Sequence, residues 1–352
     1  MKQFKLFFFL LAAAGSVALT SCTKNETMVV SNGSVYVLNQ GSMNYNNSTV
    51  TSYNIDKATS TIDWYKAQNG VGLGDTGNDM AVYGGKIYIV VNVSSVVTVT
   101  DLNGKFLKTI SFQNGNTARQ PRCIAFNKNK AYVCSFDGSV ARIDTTSLSI
   151  EAYATAGENP DGICVANNKL YVSNSGGLNY PTYSNTVSVI DIASFAETKK
   201  ITVNTNPFTI KTGTDGNVYV LSHGNYGSIA SELQVINPST DALTKTYSNS
   251  AAIDFDFYGT KILFCNYDYS TGASAVKTMD VSTGTITNFI VDGTTIPMAS
   301  GIAVNQTNGD VYVASAATDY VSNGTVYCFD STGKKKFTFT SGVNPWKIVF
   351  VR

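Results

Sequence analysis

The stretch GENPDGICVANNKLYVSN at residues 157–174, followed after a polar interlude by NTVSVID at residues 185–191, decides the fold. Gly157 and Asn159-Pro160 make a turn, and Ile163-Cys164-Val165 form a short apolar strand. Asn167-Asn168 supply a two-residue reversal, and Leu170-Tyr171-Val172 return as a second strand. Val187, Val189 and Ile190 form a third strand, which Asp191 ends. Asn-rich reversals between β-branched runs mark hairpins, because Asn tolerates the left-handed backbone that tight hairpin turns require. The stretch is therefore one antiparallel β-unit.

The same unit recurs along the chain. The Tyr-Val of its second strand returns as Tyr36-Val37, Tyr88-Ile89, Tyr132-Val133, Tyr219-Val220, Leu263-Phe264 and Tyr312-Val313, at spacings of 39 to 52 residues. That is the period of a four-stranded propeller blade. In step with it, Asp56, Asp101, Asp144, Asp191, Asn237, Asp280 and Asp330 close the third strands. Pro121, Pro160, Pro207, Pro297 and Pro345 open the units, with Asn78-Asp79 and Ser250-Ala251 as weaker openers. The seven Asp/Asn positions precede turns such as Asn103-Gly104 and Thr332-Gly333. They are read as side chains that bond the backbone two residues on, not as catalytic carboxylates.

The termini predict closure of the ring. Asn344 to Phe350 copies residues 159–165, and the remainder of that unit, Gly33 to Leu38, lies near the other end of the chain. Pairing the two completes one blade and leaves no large open edge. The expectation is an all-β, seven-bladed β-propeller of four-stranded blades, a single domain over residues 33–352.

Residues 1–21 read as an export signal: a basic start, an apolar run over 6–19 too short to span a bilayer, and Leu19-Thr20-Ser21-Cys22. This end resembles a bacterial lipobox, which implies lipidation of Cys22, with residues 22–32 as a lipidated tether. Removing the signal takes away Lys2 and Lys5 and leaves 23 basic against 24 acidic residues. No basic cluster exists beyond Lys334-Lys335-Lys336, so nothing points to nucleic acid. Five cysteines remain after Cys22, at spacings that match no zinc pattern. If Lys128-Asn129 is the reversal, Cys123 and Cys134 face each other across two strands. They are then either a disulfide or two buried thiols.

Pro160-Asp161-Gly162-Ile163, Leu170-Tyr171-Val172-Ser173-Asn174 and Thr186 to Asp191 resemble the YVTN repeats of YncE-like propellers, over the whole exported chain. With the lipobox, the chain resembles propeller lipoproteins of Bacteroidetes. One branch of these, the BtuG type, captures cobalamin at the cell surface and passes it to a TonB-dependent outer-membrane transporter. The resemblance implies that localisation, ligand and partner; it carries over no ligand-contact residue, so the site must be read from this chain.

Strand order sends the first-to-second and third-to-fourth turns to one face, and the proline turns and second-to-third loops to the other. The loops over residues 39–49, 173–186, 222–231, 266–274 and 314–325 are long and rich in Tyr, Asn, Ser and Gly. Variable loops on one face are where repeat rings bind. Tyr gives contact area at low rotamer cost, and Asn and Ser give adaptable hydrogen bonds. The candidate ligand contacts are Tyr45, Tyr180, Tyr183, Tyr226, Tyr267, Tyr269 and Tyr320 in loops, and Arg122, Asp161, Phe208, Met298 and Trp346 beside the opening turns. His223, the one histidine, is read as a polar contact or, less simply, a ligand for a metal such as cobalt. Broad, neutral, amide-rich ligands suit this surface, and cobalamin and glycans both fit.

Enzyme readings find little support. One histidine gives no serine-protease-like triad. Gly72, Gly74 and Gly77 spell G-x-G-x-x-G without the strand and helix that would make it a phosphate loop. Paired carboxylates such as Asp75 with Asp79, or Asp268 with Asp319, are the residual route to glycoside or lyase chemistry. The expectation is a binding protein with no cofactor and no resident metal; the alternatives are a glycan-binding or protein-interaction propeller, then a propeller enzyme.

Overall fold

The computed structural model describes residues 33–248 and 252–351. The signal, Cys22 and its tether, and the Ser250-Ala251 opener lie outside them.

Seven four-stranded antiparallel sheets form the seven blades of a β-propeller. Blades 1 to 6 occupy residues 77–111, 121–155, 160–202, 207–248, 254–288 and 299–343. Blade 7 is closed by both ends of the chain: the inner strand Pro345–Val351 pairs with Ser34–Asn39, which continues to Thr49–Asn54 and Thr59–Thr61. Val37 faces Ile348 and Tyr36 faces Val349, so the two ends of the chain pair and latch the ring as expected. Asn39, fully buried, ties the latch to blade 6: its Oδ1 accepts from Ser341 Oγ at 2.7 Å and from the Gly342 amide at 3.0 Å.

The quoted stretch becomes blade 3, with strands Pro160–Ala166, Lys169–Asn174, Thr186–Asp191 and Ala196–Thr202. Asn167 and Asn168 have φ of 47° and 56°, the left-handed pair a tight hairpin needs. Pro121, Pro160, Pro207 and Pro345 each begin an inner strand. The residues before them, Gln120, Asn159, Asn206 and Asn344, all have positive φ. Their carbonyls accept from Phe136, Ser175, His223 and Gln40, fastening each opening turn to the loop above it. The Asp/Asn positions close turns as expected: Asp101 Oδ1 accepts the Asn103 amide at 2.9 Å, Asp144 Oδ1 that of Thr146 at 3.0 Å, and Asp330 Oδ1 that of Thr332 at 2.8 Å.

The core lies between blades. Marker tyrosines 88, 132, 171, 219 and 312 are fully or almost fully buried and reach into the next blade. Tyr88 meets Phe126 edge-on at 5.0 Å, Tyr219 meets Phe257 at 5.0 Å, and Tyr312 meets Phe350 at 5.2 Å. Such pairs add about 0.5–1.5 kcal/mol beyond the burial itself. One helical turn, Trp64–Asn69, sits outside the repeat and stacks Trp64 on Tyr36 at 4.2 Å. Cys123 and Cys134 do face each other in register, as free thiols with Cys134 Sγ 3.7 Å from the Cys123 carbonyl. Burial pushes the Cys134 thiol up to about 12.

Candidate ligand-binding face

The opening turns and the second-to-third loops share one end of the ring, the mouth face. Two glycines let neighbouring inner strands approach closely enough to set its floor. A Cβ on Gly162 would lie 2.5 Å from the Phe208 carbonyl oxygen, and one on Gly301 would lie 2.1 Å from that of Trp346. Only glycine permits this approach, and it presents the Phe208 and Trp346 rings beside the central channel.

From that floor an aromatic arc climbs to the rim. Trp346 and Phe208 meet edge-on at 6.1 Å, Phe208 and His223 at 4.9 Å, and His223 and Tyr226 at 6.2 Å. Tyr226 and Tyr183 follow at 6.0 Å, and Tyr183 and Tyr180 at 6.1 Å. Three blades contribute, from residues far apart in sequence. A cavity of about 300 Å³ at the arc's foot is lined by Phe208, His223, Tyr226, Tyr269, Tyr320 and Trp346. A second, of about 330 Å³, shares His223, Tyr226 and Tyr269 and adds Tyr267. Tyr180, Tyr226 and Tyr269 are 74%, 65% and 68% exposed, so their rings are offered to solvent and not spent on packing.

Tyr226 and Tyr320 are held at φ 56° and 59°. A bulky side chain in the left-handed region costs about 1–3 kcal/mol and persists only where its surroundings fix it. The fixings are present: the Tyr226 hydroxyl shares a hydrogen bond with His223 Nδ1 at 3.1 Å, and the Tyr320 carbonyl accepts from Asn344 Nδ2 at 3.2 Å. Burial lowers the His223 pKa against the opposing pull of Asp161, the Ile253 carbonyl and Asp254, so the ring is neutral at physiological pH. Among the described residues no group of three His, Cys, Asp or Glu side chains could hold a metal ion.

Around the floor the channel carries charge. Lys347 Nζ lies 3.2 Å from Asp79 Oδ1, Lys211 Nζ 3.4 Å from Asp254 Oδ1, and Arg122 Nε 2.7 Å from Asp161 Oδ1. Burial pulls the Lys347 pKa down, but the Asp79 and Asp254 carboxylates outweigh it and the net shift is upward. Asp79 Oδ2 also accepts the Ile124 amide at 2.9 Å, stapling blade 1 to blade 2.

Ten of the thirteen candidate contacts lie together on this face: Tyr180, Tyr183, Phe208, His223, Tyr226, Tyr267, Tyr269, Met298, Tyr320 and Trp346. Arg122, Asp161 and Tyr45 are placed differently, and one expected loop is a hairpin. Arg122 and Asp161 are committed to each other; Arg122 also lies 4.3 Å over the Phe136 ring, and Asp161, 5% exposed, accepts from Ser175 Oγ at 3.1 Å. They brace the floor. Tyr45 is 75% exposed and joins no ring of the arc. Tyr267 lies within the strand Lys261–Asp268, because the expected loop over 266–274 is mostly hairpin, with Tyr267 paired to Ser274. Gln40, Ile253, Ser300 and Asn344 line the mouth and carried no separate signal.

The carboxylate pairs are also committed. Asp268 caps the Ser270 turn, which holds its carboxyl down at about 2, and Asp319 caps the turn to Ser322. Asp75 accepts the Asn44 and Asn46 amides at 3.1 and 3.3 Å. Gly77 opens the inner strand Gly77–Tyr83, so the G-x-G-x-x-G string leads into a strand.

This is the mouth of a seven-bladed propeller, and the chain belongs to the family described as Domain of unknown function (DUF5074), which it matches over residues 33–345. No curated protein matches it in sequence. Among solved structures it is similar to a candidate 6-phosphogluconolactonase from Bacteroides uniformis, at 11% identity and a TM-score of 0.64, over 91% of this chain and 100% of that one. It is also similar to the hydrazine synthase of Kuenenia stuttgartiensis, at 16% identity and a TM-score of 0.57, over 70% and 74% of the two chains. The computationally designed Ika8 protein is a third likeness, at 14% identity and a TM-score of 0.53, over 78% and 90%. At these identities the likeness is one of fold.

Proposed function

We propose that this chain is a ligand-capture protein, not an enzyme, and that its mouth face takes a broad, neutral, amide-bearing molecule, cobalamin in the first instance. The observation that carries the reading is the aromatic arc from Trp346 to Tyr180, which leads from a neutral histidine at the floor to exposed tyrosines at the rim. A corrin is flat and fringed with amides. Edge and face contacts along the arc suit its plane, while Gln40, Ser300 and Asn344 offer donors and acceptors to its rim. Following the resemblance to BtuG-type proteins, the protein would sit on the outer membrane through lipid on Cys22 and deliver its ligand to a TonB-dependent transporter.

Purified protein mixed with cyanocobalamin and desalted should retain red colour in proportion to protein. Tyr183→Ala with Tyr226→Ala should weaken retention by about tenfold or more, since each stacked or edge-on ring contributes about 1 kcal/mol. A colourless protein fraction at a tenfold excess of ligand rejects cobalamin. Retardation on a polysaccharide gel that the same two substitutions abolish would then assign the arc to glycans.

A further inference from the structure

Six of the seven blades carry a buried tyrosine at one point of the second strand: Tyr36, Tyr88, Tyr132, Tyr171, Tyr219 and Tyr312. Each fills the base of the interface with the following blade; the Tyr36 hydroxyl, for example, reaches the Leu102 carbonyl of blade 1 at 3.1 Å. Blade 5 has Leu263 there. The register is unchanged, since Leu263 stands opposite Asp256 and Thr278 just as Tyr219 stands opposite Lys211 and Val235. An isobutyl group thus replaces a phenol, and nothing from blade 6 fills the gap.

A cavity of about 600 Å³ lies at that point, on the face opposite the mouth. Tyr258, Leu263, Phe289 and Val311 give it apolar walls, and Thr260, Lys261, Thr278 and Ser331 give it polar ones. Blade 6 presents Gly309 to it, where a Cβ would come within 2.6 Å of the Tyr258 ring. The space is a cleft that opens on that face beside the exposed blade 5 turn at Gly259, Thr260 and Lys261. Aromatic and aliphatic walls with several polar groups, at several hundred Å³, are the composition and size of a small-molecule site. Thr278 Oγ1 is buried with no hydrogen-bond partner, so the wall holds an unanswered polar group.

We propose that this gap between blades 5 and 6 is a second ligand site, independent of the mouth, for a small aromatic molecule bearing a hydroxyl. Its ring takes the place of the missing tyrosine ring against Leu263, Phe289 and Val311, and its hydroxyl pairs with Thr278.

The test uses p-cresol, the tyrosine side chain as a free molecule, titrated into the protein and followed by thermal shift and calorimetry. Wild type should show a saturable rise in Tm, as any ligand of the folded state produces. Leu263→Tyr should abolish that rise while leaving mouth-face retention unchanged. Should Leu263→Tyr misfold by circular dichroism, Val311→Phe fills the same space from the blade 6 side and should do the same. Thr278→Val should weaken p-cresol about fivefold, the worth of one hydrogen bond, and leave toluene unaffected. No saturable shift in wild type overturns the proposal, and so does equal p-cresol binding by wild type and a folded, cavity-filled variant. Equal effects of Thr278→Val on p-cresol and toluene overturn the role of Thr278.

Discussion

Replacing Arg122 by Ala separates a brace from a ligand contact. Arg122 Nε is 2.7 Å from Asp161 Oδ1, and the two side chains are 13% and 5% exposed. Removing one partner of a buried ion pair costs about 3–5 kcal/mol, chiefly because the other charge stays behind unpaired. Asp161 keeps its bond from Ser175 Oγ, which puts the loss at the lower end, about 3 kcal/mol including the cation–π contact with Phe136. In a chain of this length about 1 kcal/mol corresponds to about 2 °C, so Tm should fall by about 6 °C. Thermal unfolding followed at the β-sheet signal reads this directly. Adding Asp161→Asn to Arg122→Ala should recover about half of the loss, because the stranded charge is gone. An unchanged Tm together with lost ligand retention would refute the brace and return Arg122 to the binding surface.

Two further outcomes follow from the channel and the strands. Lys347→Met should lower Tm by about 2 °C at neutral pH, a discounted figure because the lysine side chain is a third exposed. The Lys347 pKa is raised in the folded state, so its contribution is complete below the unfolded value of about 10.4 and is lost as pH climbs through the folded one. The gap between wild type and Lys347→Met should therefore hold to about pH 10 and close above it; a constant gap to pH 12 would count against the pair. The thiols of Cys134, Cys164 and Cys328, each pushed up to about 12 by burial, should resist a thiol reagent at pH 8 in the native protein. All five strand cysteines should titrate after unfolding, in equal number with and without reduction; a larger number after reduction would reveal a Cys123–Cys134 bridge.

The ring was legible because three unrelated chemistries, a proline opener, a buried tyrosine and a turn-capping Asp, keep one period, and each has its own steric or hydrogen-bonding cause. The tyrosines of the arc were legible for the opposite reason: loops such as 173–186 carry more than a turn needs. What the sequence hid was adjacency around the ring. Arg122 and Asp161 are 39 residues apart, and only blade-to-blade contact reveals that they satisfy each other. Tyr45 and Tyr180 are alike in composition and exposure, yet only Tyr180 has a neighbouring ring to extend. Leu263 was visible as an imperfect copy, but the space it leaves depends on Gly309 in the next blade.

The latch strand Pro345–Val351 has a consequence in time. It is the last strand of the ring to leave the ribosome, and it carries both Trp346, the foot of the arc, and Lys347, the cation facing Asp79. Until it slots beside Ser34–Asn39, blade 7 has no inner strand and the mouth has no floor at that point. Completion of the fold and completion of the arc are then a single event, so a chain caught before closure presents the rim tyrosines without their foot at Trp346.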